Sequence, residues 1–153
     1  MRVRIAVLAL ALLPSFATLV NVSPAQAAIS CHAINGKGVG QDLGGGNTVA
    51  DIQGAGLLHG STVGSFVPTG TSGSVVFIAG TVVFTVNRAT LTVTVTGSLD
   101  LATGVFSASG TVTAATGKLA GATGTVSLAG VESLVTGSFV EAVSGNVCVD
   151  LAP

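Results

Sequence analysis

The sequence has no tryptophan and no tyrosine, and only 5 of its 153 residues are lysine or arginine. The usual aromatic platforms for sugars and single-stranded nucleic acids are therefore missing. After residue 27 the basic side chains are Lys37, Arg88 and Lys118. Three cations cannot neutralise a row of phosphates, so we expect neither a nucleic-acid partner nor binding to an anionic membrane surface.

Long apolar runs are also missing, since no segment after residue 27 reaches the ~18 residues of a membrane-spanning helix. The N-terminus instead has two arginines followed by a short apolar run, Ile5–Leu13. The small residues of Ala25–Ala27 then stand before a cleavage site at Ala28. This layout is typical of a secretory signal peptide. It predicts that residues 1–27 are removed and that residues 28–153 form one secreted domain.

A lipid anchor at Cys31 is the alternative to full release from the cell. A bacterial lipoprotein signal has a bulky aliphatic residue three positions before its cysteine, whereas this sequence has Ala28 there. The sequence therefore favours secretion over lipid attachment.

Cysteine is scarce, with only Cys31 and Cys148, one near each end of the predicted mature chain. In an exported protein two cysteines most simply pair, so we predict a disulfide between them. One cysteine pair does not supply the four ligands of a structural zinc site, and we predict no metal.

Glycine and β-branched residues are abundant, and all 22 glycines follow residue 27. Glycine, valine and threonine are poor helix formers, and the many valines and threonines argue against disorder. The composition therefore predicts an all-β domain with many turns.

The clearest strand is Thr90–Gly97, where Leu91, Val93 and Val95 alternate with threonines. Such alternation places the three apolar residues on one face of the sheet. A tight turn is expected just before it, at Asn87–Ala89.

Two other segments are predicted to lie outside strands. The segment Asn35–Asn47 carries glycines too often for a regular strand, and Pro68–Gly73 has the composition of a turn. The strand that follows, Ser74–Val86, is apolar enough to be buried on both faces, or it has a bulge at Gly80.

A repeat is visible in the second half of the chain, where residues 97–112 match residues 130–147 after two inserted residues. Both copies contain Thr-Gly followed by a phenylalanine and a strand. Each copy predicts a β-hairpin with Thr-Gly at its bend and with Phe106 or Phe139 in the core.

A third glycine pattern, "ATGKLAGATG", joins the two repeats. Gly117, Gly121 and Gly124 are predicted to adopt positive φ or to allow close backbone approach. Leu119 is the one large apolar side chain among them and is expected to fill the core.

This pattern resembles the "GGTGRFAGATG" turn of secreted bacterial barrels related to plant allene oxide cyclases and dirigent proteins. The similarity extends from about Gly73 to Leu151, because "LATGVFSASGTVTAATG" fits the two strands before the turn. It implies a calycin-like antiparallel β-barrel of about eight strands with an apolar lumen.

The resemblance does not transfer the chemistry of those families, whose lumens carry a buried glutamate or aspartates. Glu132 is expected at a turn, Glu141 is expected to face solvent, and Asp100 to flank a turn. We therefore assign no catalytic residue.

Histidines and aspartates elsewhere give no stronger signal. His32 and His59 have no nucleophile motif beside them, and His32 adjoins Cys31. Asp42 and Asp51 flank a glycine run but lack the spacing of a calcium-binding repeat. We expect no cofactor.

Two classes of function remain. The sequence favours a non-enzymatic secreted barrel that is structural or binds a small apolar ligand in its lumen. The alternative is an allene oxide cyclase-like or dirigent-like enzyme that acts on an apolar substrate. An open lumen with a buried carboxylate would favour the second class, whereas a fully packed lumen would leave only a structural role.

Overall fold

In the computed structural model, the described part of the chain, residues 29–150, forms eight strands. Along most of these strands, side chains alternate between the lumen and the outer surface. The predicted signal peptide, residues 1–27, lies outside the described residues. The strands are β1 (Ser30–Gly44), β2 (Asn47–Gln53), β3 (Gly60–Ser72), β4 (Val75–Val86), β5 (Ala89–Asp100), β6 (Val105–Ala115), β7 (Thr123–Glu132) and β8 (Ser138–Val149). Two short 3₁₀ turns, Gly56–Leu58 and Gly117–Leu119, lie between strands.

Each strand pairs antiparallel with the next, and β8 pairs with β1 to close the barrel. The predicted all-β, eight-stranded antiparallel barrel is therefore confirmed. In the described residues every strand therefore has a paired neighbour on both sides, so the barrel has no edge strand of the kind that promotes edge-to-edge aggregation.

The two ends of the barrel differ. At the closed end, which carries the β2–β3, β4–β5 and β6–β7 connections, the two 3₁₀ turns place Leu58 and Leu119 in the core, both 0% exposed. The opposite end carries the β1–β2, β3–β4, β5–β6 and β7–β8 turns, and we call it the pocket end.

The lumen near the closed end is packed with aliphatic side chains and Phe84. Leu91, Val93 and Val95 are at most 1% exposed, while the threonines that alternate with them face outward. The predicted alternation of β5 is therefore confirmed, as is the tight turn before it, where Asn87 has a φ of 57°.

Two sequence-based assignments of turns and loops are wrong. Most of Asn35–Asn47 belongs to β1, because its glycines alternate and face the lumen, where side chains of other strands fill the space. Most of Pro68–Gly73 belongs to β3, which has a register shift between Pro68 and Gly70. Neither pairing of β4 shifts at Gly80, so the bulge proposed there is absent.

The two repeats form the β5–β6 and β7–β8 hairpins, with Thr-Gly at each bend as predicted. Gly104 and Gly137, the glycines of those bends, have φ values of 73° and 71°. Residues with a side chain rarely adopt such positive φ values, which explains why both repeats have glycine at this position.

The predicted glycine turn lies between β6 and β7. Gly117, Gly121 and Gly124 all have positive φ, of 59°, 77° and 137°. Leu119 is fully buried, as expected. A Cβ on Gly124 would collide with the carbonyl oxygen of Asn146 on β8, so this position also requires close backbone approach.

The predicted disulfide joins Cys31 to Cys148, which face each other across the β1–β8 pairing. A disulfide suggests an oxidising, extracytoplasmic environment. Within residues 29–150 we find no helix with the length and apolar character needed to cross a bilayer.

Candidate functional site

A cavity of about 140 Å³ opens at the pocket end of the barrel lumen. Its walls are mainly apolar and come from all eight strands. The lining residues are Asp42, Thr48, Thr62, Phe66, Ile78, Val82, Leu99, Phe106, Ala108, Leu128, Glu132, Phe139 and Glu141.

Glycines of β1 create the room for this site. A Cβ on Gly38 would lie 2.7 Å from both Cγ and Oε1 of Glu141. A Cβ on Gly40 would collide with the ring of Phe139. At Gly38 and Gly40 the lumen face of β1 is thus bare backbone, over which two side chains of β8 lie.

Three phenylalanines surround the cavity: Phe66 from β3, Phe106 from β6 and Phe139 from β8. Phe139 is 7% exposed, and its ring meets that of Phe106 edge to face. The cavity wall therefore presents aromatic surface from three directions.

Glu141 points into the lumen and lines this cavity, so the expectation that it faces solvent is wrong. Residues two apart on a strand share a face, and Phe139 faces the core; Glu141 therefore has to face inward with it. Burial raises the pKa of the Glu141 carboxyl to about 7.

A pair of carboxyl groups lies at the cavity mouth. Glu132 is the last residue of β7, and Asp42 lies near the end of β1. Burial raises the pKa of Glu132 above its ordinary value, and the negative charge of Asp42 and a hydrogen bond with it act in the same direction. These effects favour the protonated form of the Glu132 carboxyl.

Among the described residues, 29–150, no basic side chain lines the cavity. Lys37 belongs to the exposed, outward positions of β1, and Arg88 and Lys118 lie together at the closed end. The carboxyl groups consequently have no internal cation to neutralise them.

Such a site supports two kinds of chemistry. A carboxyl group with a pKa near neutrality can give or accept a proton at physiological pH. Once ionised in apolar surroundings, it also binds a cation or a hydrogen-bond donor more strongly than an exposed carboxylate does.

Asp100 lies in the β5–β6 bend, as the sequence predicted. Its carboxylate accepts hydrogen bonds from the Ala102 backbone N–H at 2.9 Å and from the Thr103 hydroxyl at 3.0 Å. The hydroxyl of Ser74 is the largest cause that lowers the pKa of Asp100. These bonds shape the turn and do not direct the carboxylate into the cavity.

The histidines lie apart from the cavity. His32 is 2.9 Å from the hydroxyl of Ser30 near the closed end, and His59 is the exposed C-cap of the first 3₁₀ turn. Asp51 is exposed on β2, whereas Asp42 caps the Gly44 N–H at 2.8 Å. Within residues 29–150 no three His, Cys, Asp or Glu side chains are grouped to hold a metal ion.

Sequence reasoning missed that Asp42, Glu132 and Glu141 line the same cavity. The spacing of Phe139 and Glu141, two positions apart on one strand, already indicates that Glu141 faces the lumen. The meeting of the other two depends on β1 and β7 flanking the same strand, β8, which the sequence pattern does not reveal.

Comparison of the chain with models of protein families, with curated protein sequences and with solved structures gives no significant match.

Proposed function

We propose that this protein is an exported barrel that binds a small apolar ligand in the lumen at its pocket end. The observation that carries the proposal is the contrast between the two halves of one lumen. Side chains fill the closed end, whereas a cavity of about 140 Å³ with apolar walls remains at the other. A purely structural barrel has no need of an unfilled end, because empty apolar space reduces stability.

The cavity size limits the ligand. An apolar protein cavity of about 150 Å³ holds one benzene-sized molecule. This is below the ~300 Å³ at which ordinary ligand pockets begin, so the ligand is either small or inserts only one end.

Export is part of the same proposal. It is supported by the N-terminal pattern of residues 1–27 and by the disulfide between Cys31 and Cys148. We also propose a distant relation to the barrels of the allene oxide cyclase and dirigent families, and with it a calycin-like subtype. The eight-stranded closed barrel and the glycine turn at residues 114–124 support this relation.

The binding test compares two variants that add the same bulk. Ala108 is 6% exposed and lines the cavity, so Ala108→Leu reduces the space. Ala142→Leu adds the same atoms at an exposed position of β8. Toluene should shift methyl NMR resonances of the wild type and of Ala142→Leu but not those of Ala108→Leu. Equal responses in all three folded proteins would contradict binding in the lumen.

An enzyme acting on an apolar substrate is the second candidate function. It is favoured by Glu141, whose carboxyl lies in an open apolar lumen and has a pKa close to 7. In that role Glu141 would be the proton donor or acceptor. The decisive measurement is turnover: a substrate converted by the wild type but only bound by Glu141→Gln would establish the enzyme.

A further inference from the structure

We propose that the ligand of this cavity is an organic ammonium ion, whose cationic group lies against Glu141 and whose apolar part lies among the phenylalanine rings. This inference rests on the proposed function and specifies its ligand class. It is carried by the placement of carboxyl groups, aromatic rings and a buried hydroxyl around one cavity.

The first support is charge. Three carboxyl groups, from Asp42, Glu132 and Glu141, line a cavity of about 140 Å³, and none of its lining residues in the described part of the chain is basic. An ionised carboxylate in apolar surroundings is unfavourable unless a cation or hydrogen-bond donors accompany it. A cationic ligand supplies what the protein itself does not place there.

The second support is aromatic surface. Phe66, Phe106 and Phe139 line the same cavity, and the face of an aromatic ring attracts a cation at short range. Rings and carboxylates together form the combination that recognises alkylammonium groups in proteins. An anionic ligand, by contrast, would meet only acidic groups and ring faces.

The third support is Thr62, which is 5% exposed and also lines the cavity. The hydroxyl of a threonine can accept a hydrogen bond, so at the cavity wall it offers a partner to an N–H group of a ligand.

The arrangement also predicts how binding depends on pH. The other carboxyl groups that line the cavity with Glu141 are Asp42 from β1 and Glu132 from β7; the lining residues from β2 to β6 are uncharged. Burial places the pKa of Glu141 at about 7, so this carboxyl is mostly neutral below that pH and mostly ionised above it. An ammonium ion should therefore bind more tightly as the pH rises through 7.

Three probes of one size test the inference: benzylamine, which is protonated near neutral pH, neutral benzyl alcohol and anionic benzoate. Their dissociation constants are measured by NMR titration of the purified disulfide-bonded protein at about pH 5.5 and about pH 8. We expect benzylamine to bind at least about tenfold more tightly than benzyl alcohol at the higher pH, and benzoate to bind most weakly. This preference should fall at the lower pH.

Two variants distinguish the effect of the Glu141 carboxyl from the effect of the protein's overall charge. Glu141→Gln should reduce the preference for benzylamine to within about twofold and leave benzyl alcohol binding unchanged. Asp51→Asn removes the same charge from the outer face of β2 and should leave the preference intact. Circular dichroism confirms that both variants are folded, and Glu132→Gln replaces Glu141→Gln if the latter is not.

Equal binding of benzylamine and benzyl alcohol overturns the ammonium inference and leaves the apolar-ligand proposal standing. Tightest binding of benzoate, or equal losses in Glu141→Gln and Asp51→Asn, also overturns the inference alone. Failure of all three probes to bind overturns both proposals.

Discussion

The rings of Phe106 and Phe139 meet edge to face, with centroids 5.7 Å apart and planes at 87°. They occupy equivalent positions in the two sequence repeats, and β7 lies between their strands. Gly130 of β7 makes the contact possible, because a Cβ there would lie 2.7 Å from Cζ of Phe106. The repeat thus supplies two rings that together form one wall of the cavity.

This contact predicts an energetic coupling between the two rings. A double-mutant cycle of Phe106→Leu and Phe139→Leu should give about 0.5–1.5 kcal/mol, measured from urea unfolding midpoints. Phe77→Leu is the control, because Phe77 is 46% exposed and should show no coupling to Phe139. A coupling of zero between the cavity rings would mean that they pack independently.

Leu119 should behave as a core residue although it lies in a turn. Its side chain is 0% exposed at the closed end, so Leu119→Ala should cost about 2–5 kcal/mol of unfolding free energy. Leu101→Ala, at a turn residue that is 52% exposed, should cost far less. Chemical denaturation of both variants decides the matter, and similar losses would contradict the role of Leu119.

Gly124 should be the least replaceable glycine of the turn before β7. It combines a φ of 137° with close approach to the Asn146 carbonyl, so Gly124→Ala should cost more than the ~1 kcal/mol of positive φ alone. Gly121→Ala has open space and should cost about 1 kcal/mol.

The suitable control for these glycines is Gly70, since its φ is not positive and the nearest atom to an added Cβ would be 3.8 Å away. Gly45 is unsuitable despite its exposure, because its φ is 63°. If Gly70→Ala lowers the unfolding midpoint as much as Gly124→Ala does, the close approach of the Asn146 carbonyl does not explain why position 124 requires glycine.

Glu141 should make the barrel less stable as the pH rises. The folded protein retains this proton up to about pH 7, whereas the ordinary carboxyl pKa is 4.5, so the folded state binds more protons between these values. The free energy of unfolding therefore falls across that interval, by on the order of 2–3 kcal/mol. Glu141→Gln should remove most of this fall, as measured by urea unfolding at a series of pH values.

Asp51→Asn serves as the charge-matched control and should retain the fall in stability. Should Glu141→Gln show the same pH dependence as the wild type, burial of this carboxyl in the folded barrel would be disproved.

The disulfide should stabilise a contact that the sheet already makes. Cys31 and Cys148 are paired residues of β1 and β8, 117 residues apart in sequence. Replacing both by serine should cost about 2–5 kcal/mol, because the unfolded chain regains its freedom. Unfolding of both proteins with and without reductant measures this effect, and the serine variant should not respond to reductant. Mass spectrometry of the native protein should find both thiols oxidised.

Local pattern was enough to establish the class of fold. The alternation in Thr90–Gly97 indicates which residues of β5 face the lumen, because successive side chains of a strand point to opposite faces. The Thr-Gly pairs indicate two bends, because glycine readily adopts positive φ. The same rule of alternation places Glu141 in the lumen once Phe139 faces the core, because the two residues are two positions apart on β8. The cysteine pair was also evident from composition alone.

Only the closed barrel decided where the site lies. The alternating glycines of β1 suggest a loop when read along the chain, yet they form a strand because Phe139 and Glu141 of β8 fill the space above them. Asp42, Glu132 and Glu141 likewise line one cavity because β8 pairs with both β1 and β7. Which side chains share a lumen depends on strand order and register, and these are set by long-range pairing that no local pattern contains.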